Sequence, residues 1–185
     1  MGNLSNLLFI TPVRSFFGRA AFSILVVAFL SSYVSAADKV YEKPSAFMKR
    51  HFGAIPKTQV IALSSSQSKQ LKSIFGHKYA AQKIRYWQAN GKTAWILDEV
   101  GKSQPITTGI IVRGGRIVEL KVLVYRESHG WEVSRPFFTK QFVGASLNGK
   151  TLNKKVDGIV GATLSVNALK KLSAAALYLS QQTGK

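Results

Sequence analysis

Apolar residues recur at every second position through the middle of the chain and at helical spacing on both sides of it. Lys83 to Gln88 sets Ile84 and Tyr86 between polar neighbours, Asn90-Gly91 supplies the turn that tight hairpins prefer, and Thr93 to Leu97 returns. Thr107 to Val112, Gly114-Gly115 and Ile117 to Tyr125 predict a second hairpin. In its returning arm Ile117, Glu119, Lys121 and Leu123 fall on one face, and Val118, Leu120, Val122 and Val124 on the other. A half-buried antiparallel sheet is the expectation.

The flanks read as helices. Pro44 to Phe52 gathers Phe47, Met48 and Phe52 on a shared face and stops at Gly53 and Pro56. Gln59 to Leu63 is a short strand. Ser66 to Phe75 follows polar capping residues, puts Leu71, Ile74 and Phe75 on one side, and meets Gly76 where a helix should end. After the irregular segment Arg126 to Val133, Pro136 to Phe142 predicts a short helix whose Phe137, Phe138 and Phe142 face the core. Ser165 to Gln182 repeats Ala168, Leu169, Leu172, Ala175, Ala176 and Leu179 at helical spacing, with Lys170 and Lys171 outside the stripe. Mixed helices and hairpins predict an α+β fold: an antiparallel sheet of hairpins with packed helices in a single small domain. Residues 37–82 extend this domain at its N-terminal side, and residues 83–185 form its main part.

Residues 1–36 change the picture by their destination. Arg14 and Arg19 precede the apolar run Ala20 to Val34, which closes in Val34-Ser35-Ala36, a small-residue cleavage pattern. The run is short for a membrane span, so a cleaved signal peptide is expected, with an uncleaved membrane anchor as the alternative. The two arginines are not adjacent, which speaks against twin-arginine export. A periplasmic or otherwise extracytoplasmic location follows.

Composition then removes chemistries. The chain has no cysteine, which excludes disulfides, thiolate zinc sites, iron-sulfur clusters and c-type haem attachment. Redox work would need a non-thiol cofactor. The 26 Lys and Arg against 8 Asp and Glu give a formal charge of +18, a surface that attracts anionic lipid, acidic proteins or nucleic acid. Export argues against nucleic acid, and the basic residues are scattered rather than arranged as a groove-entering motif. A solvated basic face is the simpler reading, and steering towards an acidic redox partner or the membrane surface is the functional one.

Candidate chemistry sits at Asp157 to Ser165, a glycine-containing turn leading into the last helix. Gly158 and Gly161 permit unusual backbone angles, Ala162 adds little bulk, and Ser165 is a candidate N-cap. The first N–H groups of a helix lack internal partners and favour negative charge, so this end suits a phosphate. By itself this describes an anion site or a simple capped loop.

A resemblance sharpens it. Asp157-Gly158-Ile159-Val160-Gly161-Ala162-Thr163 resembles the D-x-x-[ST]-G-A-T flavinylation motif of the FMN-binding domain family. That family includes the small flavin-carrying subunits of sodium-pumping NADH:quinone reductases and Rnf complexes, and small exported flavoproteins. The resemblance extends over Lys83 to Gln182, and Glu127-Ser128-His129-Gly130-Trp131 is similar to the family's E-T-P-G-L segment near the flavin ring. Glu127 and Gly130 match, Ser128 is a mild change, and His129 and Trp131 depart. Val160 stands where the motif has serine or threonine.

The resemblance implies that an ApbE-like, magnesium-dependent flavin transferase uses FAD to esterify FMN through its phosphate to Thr163. It implies roles in cofactor binding for Asp157, Gly158, Gly161, Ala162, Leu164 and Ser165, and for Glu127, Ser128 and Gly130 near the ring; Trp131, which departs from the family segment, is either a stacking surface for the ring or an ordinary core indole. The expected function is an exported flavoprotein with covalent FMN, acting in electron transfer beside a redox partner such as a cytochrome or membrane reductase. No catalytic residue and no metal set is assigned, and a lone loop His129 reads as solvated. The alternative is an exported interaction module that keeps the fold without the flavin.

Overall fold

Antiparallel pairing of six strands frames the computed structural model, which describes residues 38–183. These are β1 (Lys39–Val40), β2 (Gln59–Ala62), β3 (Lys83–Ala89), β4 (Lys92–Val100), β5 (Pro105–Arg113) and β6 (Arg116–Tyr125), side by side in the order β1-β6-β5-β4-β3-β2. The predicted hairpins are β3–β4 and β5–β6. Asn90 and Gly91 have φ of 51° and 68°, and Gly114 and Gly115 56° and 71°, the paired left-handed angles that suit a two-residue hairpin turn. A small second hairpin, β7 (Leu147–Asn148) and β8 (Thr151–Leu152), follows the sheet in the chain.

Four α-helices accompany the strands: α1 (Pro44–Phe52), α2 (Ser65–Phe75), α3 (Pro136–Thr139) and α4 (Thr163–Gln182). The described residues form a single small α+β domain. Helix α2 starts at Ser65, one residue earlier than Ser66, because Ser64 forms a capping box: its Oγ accepts from the Gln67 N–H, and the Gln67 side chain accepts from the Ser64 N–H. The signal-peptide expectation lies outside the described residues. Among the described residues no helix is long and apolar enough to cross a membrane.

The alternation expected of β6 is broken twice. Ile111 pairs with Glu119 while Val112 pairs with Ile117, and Thr107 pairs with Val124 while Thr108 pairs with Val122, so Val118 and Leu123 are each left without a partner on β5. An extra residue reverses the faces beyond it. Ile117, Leu120, Val122 and Tyr125 therefore enter one core together, although strict alternation separates Ile117 from Leu120 and Val122. The half-buried expectation is also corrected, because α1 covers part of the second face with Phe47 and Met48 against Ala94, Ile111, Leu123 and Val124. Arg50 fastens that helix by donating to Glu42 and Glu119.

The main core lies between the sheet and α2 with α4, where Trp95, Phe75, Leu169 and Leu172 are fully or nearly fully buried. The Trp95 indole N–H reaches Ser180 Oγ of α4 at 2.7 Å, which satisfies a donor that would otherwise be costly to bury. Phe138 and Phe142 join the core, but Phe137 is 63% exposed, contrary to expectation. The predicted seven-residue helix is one α turn followed by a 3₁₀ turn, Lys140–Phe142, so helical spacing is not sustained across it.

Candidate functional site

Helix α4 begins at Thr163, two residues before the expected start. Its N-cap is Ala162, no side chain caps the first turn, and that turn holds no acidic residue. The first N–H groups of this helix thus keep their capacity for an external acceptor. Ser165 is not the cap. It lies in the first turn, buried, with Oγ 3.0 Å from the Tyr125 hydroxyl. Gly161 takes φ of 81°, a left-handed angle that favours glycine, whereas Gly158 takes no such angle and does not use the freedom expected of it.

The second half of the site comes from the segment after β6. The bulge at Leu123 turns Tyr125 towards α4, where its hydroxyl donates to the His129 carbonyl at 2.5 Å and meets Ser165. Burial raises the Tyr125 pKa, so the hydroxyl stays protonated as a donor. Gly130 has φ of 81°, and a Cβ there would stand 3.0 Å from Ala162 Cβ and 3.0 Å from the Tyr125 hydroxyl. The two sequence segments touch because both residues are small. Gly130→Ala is expected to lower stability by about 1–3 kcal/mol through strain and overpacking, read as an earlier urea midpoint.

Glu127 anchors this loop from below. It is 5% exposed, and Oε1 accepts from the backbone N–H groups of Lys102, Ser103 and Gln104 at 2.5, 2.7 and 2.9 Å, while Oε2 accepts from Ser103 Oγ at 2.9 Å. Burial by itself would raise the carboxyl's pKa, but these bonds from Gln104, Ser103 and Lys102 together outweigh it and hold the group below its ordinary value. The carboxylate is thereby engaged in fixing the β4–β5 turn, and Lys102 in that turn is brought to the site.

A cleft of about 580 Å³ opens between residues 127–132 and 160–165, with Lys102 at its side. Thr163 and Leu164 are exposed in it, and Trp131 presents a partly exposed indole whose ring centroid lies 6.0 Å from Lys39 Nζ and 5.8 Å from the Arg135 guanidinium. Of the residues expected at the site, Glu127, Ser128, Gly130, Trp131, Gly161, Ala162, Thr163, Leu164 and Ser165 line this cleft. Asp157 and Gly158 do not: the Asp157 N–H donates to Gln141 Oε1 at 2.8 Å, and its exposed carboxylate stands 3.8 Å from Lys155 Nζ. Lys102 and Tyr125 were not expected. Nothing local marks Lys102 beyond its place in a turn, and Tyr125 carried only an alternation that the bulge inverts.

Residues 101–178 match the family model described as FMN-binding domain. Over that span the chain is similar to the FMN-binding domain family. Comparison with curated proteins and with solved structures gives no match. The matched span opens at the turn that Glu127 fixes and closes inside α4, so it encloses every residue lining the cleft. The match supports FMN binding by this domain.

The residues of the FMN-binding domain fit that group. The cleft falls within the roughly 300–1,000 Å³ usual for cofactor sites. The uncapped start of α4, with Lys102 nearby, would hold the phosphate. Trp131 and Leu164 would flank the apolar ring, since aromatic and aliphatic surfaces provide most of the contact in such sites.

Proposed function

We propose that this FMN-binding domain carries its FMN by a phosphoester to Thr163 and works as an electron carrier outside the cytoplasm. The observation that carries the reading is the position of Thr163: an exposed hydroxyl on the first residue of an uncapped helix, inside the cleft. In the transfer, Thr163 Oγ forms a bond to the FMN phosphorus of FAD as the pyrophosphate bond breaks. AMP leaves and the hydroxyl proton passes to solvent. An ApbE-like flavin transferase performs this step after export.

This chain's own residues then hold the product. The diester keeps one negative charge, which the free N–H groups and dipole of α4 stabilise. Tyr125, Gly130 and Glu127 keep the opposing loop at a fixed separation from the attachment point. The bound flavin supplies electron transfer, and the covalent link keeps it at high local concentration in a compartment where a dissociated cofactor would be diluted away. The excess of basic residues favours an acidic redox partner, such as a cytochrome or membrane reductase, or an anionic membrane surface.

Val160, in the motif position usually holding a hydroxyl, is fully exposed, so its side chain supports nothing inside the fold. Because Val160 also lines the cleft, the departure alters what an approaching transferase, and the flavin it delivers, would meet. Val160→Ser is expected to raise the fraction of chain modified in a fixed time without moving the urea midpoint. The proposal as a whole is tested by the intact mass of denatured protein made with and without a coexpressed flavin transferase. A gain of one FMN less water supports it; an unmodified chain beside an active transferase favours the interaction module instead.

A further inference from the structure

A second pocket, of about 320 Å³, shares no lining residue with the flavin cleft. Its floor is apolar, made by Ile74 of α2, Leu152 of β8 and Val156. Its rim holds five lysines from three parts of the chain: Lys150 before β8, Lys154 and Lys155 after it, and Lys170 and Lys171 of α4. Sequence spacing scatters these residues, and the fold gathers them.

Their internal partners do not neutralise them. Lys171 shares the buried Glu99 carboxylate, at 3.5 Å, with His77, whose Nε2 is 3.0 Å from it. Lys155 has only the exposed contact with Asp157 at 3.8 Å, of the kind that contributes little. Lys154 donates to the Val143 carbonyl at 3.1 Å. Lys150 and Lys170 have no carboxylate within salt-bridge distance among the described residues. Convergence of like charges around an apolar floor is unfavourable by itself, and a bound anion relieves it most strongly where the floor excludes water.

We propose that this pocket is a binding site for a phosphate-bearing anion, either a free phosphate compound or the headgroup of an anionic lipid. The donor set selects phosphate. No arginine lines the pocket, so the planar fork that pairs with carboxylates is missing, whereas several ammonium groups approaching from different directions suit a tetrahedral, multiply charged group. The inference is independent of whether Thr163 is flavinylated, because the two sites have no residue in common.

Inorganic pyrophosphate is the first probe, titrated calorimetrically into the purified full chain at low salt. Binding is expected, with an accompanying rise in the thermal midpoint. In the double variant Lys150→Gln, Lys170→Gln the affinity should fall about tenfold. The control Lys49→Gln, Lys69→Gln removes equal charge outside the pocket and should retain wild-type affinity. Cosedimentation with phosphatidylcholine vesicles, with and without phosphatidic acid, separates the two sources. Vesicle binding that needs phosphatidic acid and is lost in the pocket variant assigns the lipid headgroup, and pyrophosphate binding alone assigns a free ligand. The proposal is overturned if neither probe binds, if the pocket variant binds as wild type does, or if both double variants lose affinity equally.

Discussion

Thr163→Ala is expected to leave the chain folded and wholly without denaturation-resistant flavin. Thr163 is exposed at the first position of α4, and none of the side-chain hydrogen bonds of the domain involves its hydroxyl. Alanine is the better helix former, so the change in stability should stay within about 0.5 kcal/mol. The chemical effect is complete, because no other hydroxyl occupies that place: Ser165 is buried and turned to Tyr125. Thr163→Ser keeps a nucleophilic oxygen and should still be modified. Intact mass after denaturation reads the flavin, and urea unfolding confirms that the fold is kept. A covalent flavin persisting in Thr163→Ala would remove the attachment assigned here.

The second large effect is on stability and its pH dependence. Glu127→Gln replaces a buried carboxylate that accepts three backbone N–H bonds and one hydroxyl bond. Because hydrogen bonds to a charged acceptor are the stronger ones, the loss at neutral pH should be about 3 kcal/mol. The folded pKa lies below the ordinary 4.5, so protons bind the unfolded chain more readily than the folded one. The stabilisation is therefore complete above about pH 4.5 and disappears as pH falls through the folded value. Urea unfolding of both proteins across a pH series should show a constant gap above that point and a shrinking gap below it. A gap that does not narrow in acid would mean that the carboxylate's charge is not what holds the β4–β5 turn.

The site divides between what neighbouring residues dictate and what distant ones do. The run from Asp157 to Thr163 is contiguous, so its resemblance could be recognised before any fold was known, and the closing helix followed from its apolar spacing. The cleft is different. Ser165 looked like a cap because serine before an apolar stripe often is one, yet the helix begins at Thr163 with Ala162 as its cap, and a Cβ at Gly130 would stand 3.0 Å from the Ala162 Cβ. Glu127 was expected near the ring; its bonds show it holding a turn, and that turn delivers Lys102.

Asn90-Gly91 and Gly114-Gly115 specify their hairpins from within, because the left-handed angles such turns demand are met by few residues and need no outside help. The Ser64–Gln67 capping box and the apolar stripe of α4 are likewise properties of a few consecutive positions. Which way Tyr125 points is not such a property. One unpaired residue at Leu123 reverses the faces of β6, and only pairing with β5 reveals it. The exposure of Phe137, the approach of Gly130 to Ala162 and the gathering of lysines around Ile74, Leu152 and Val156 have the same origin. Local periodicity carries no information about contacts between segments far apart in the chain, and those contacts are set by how the sheet, α2 and α4 close on a common core.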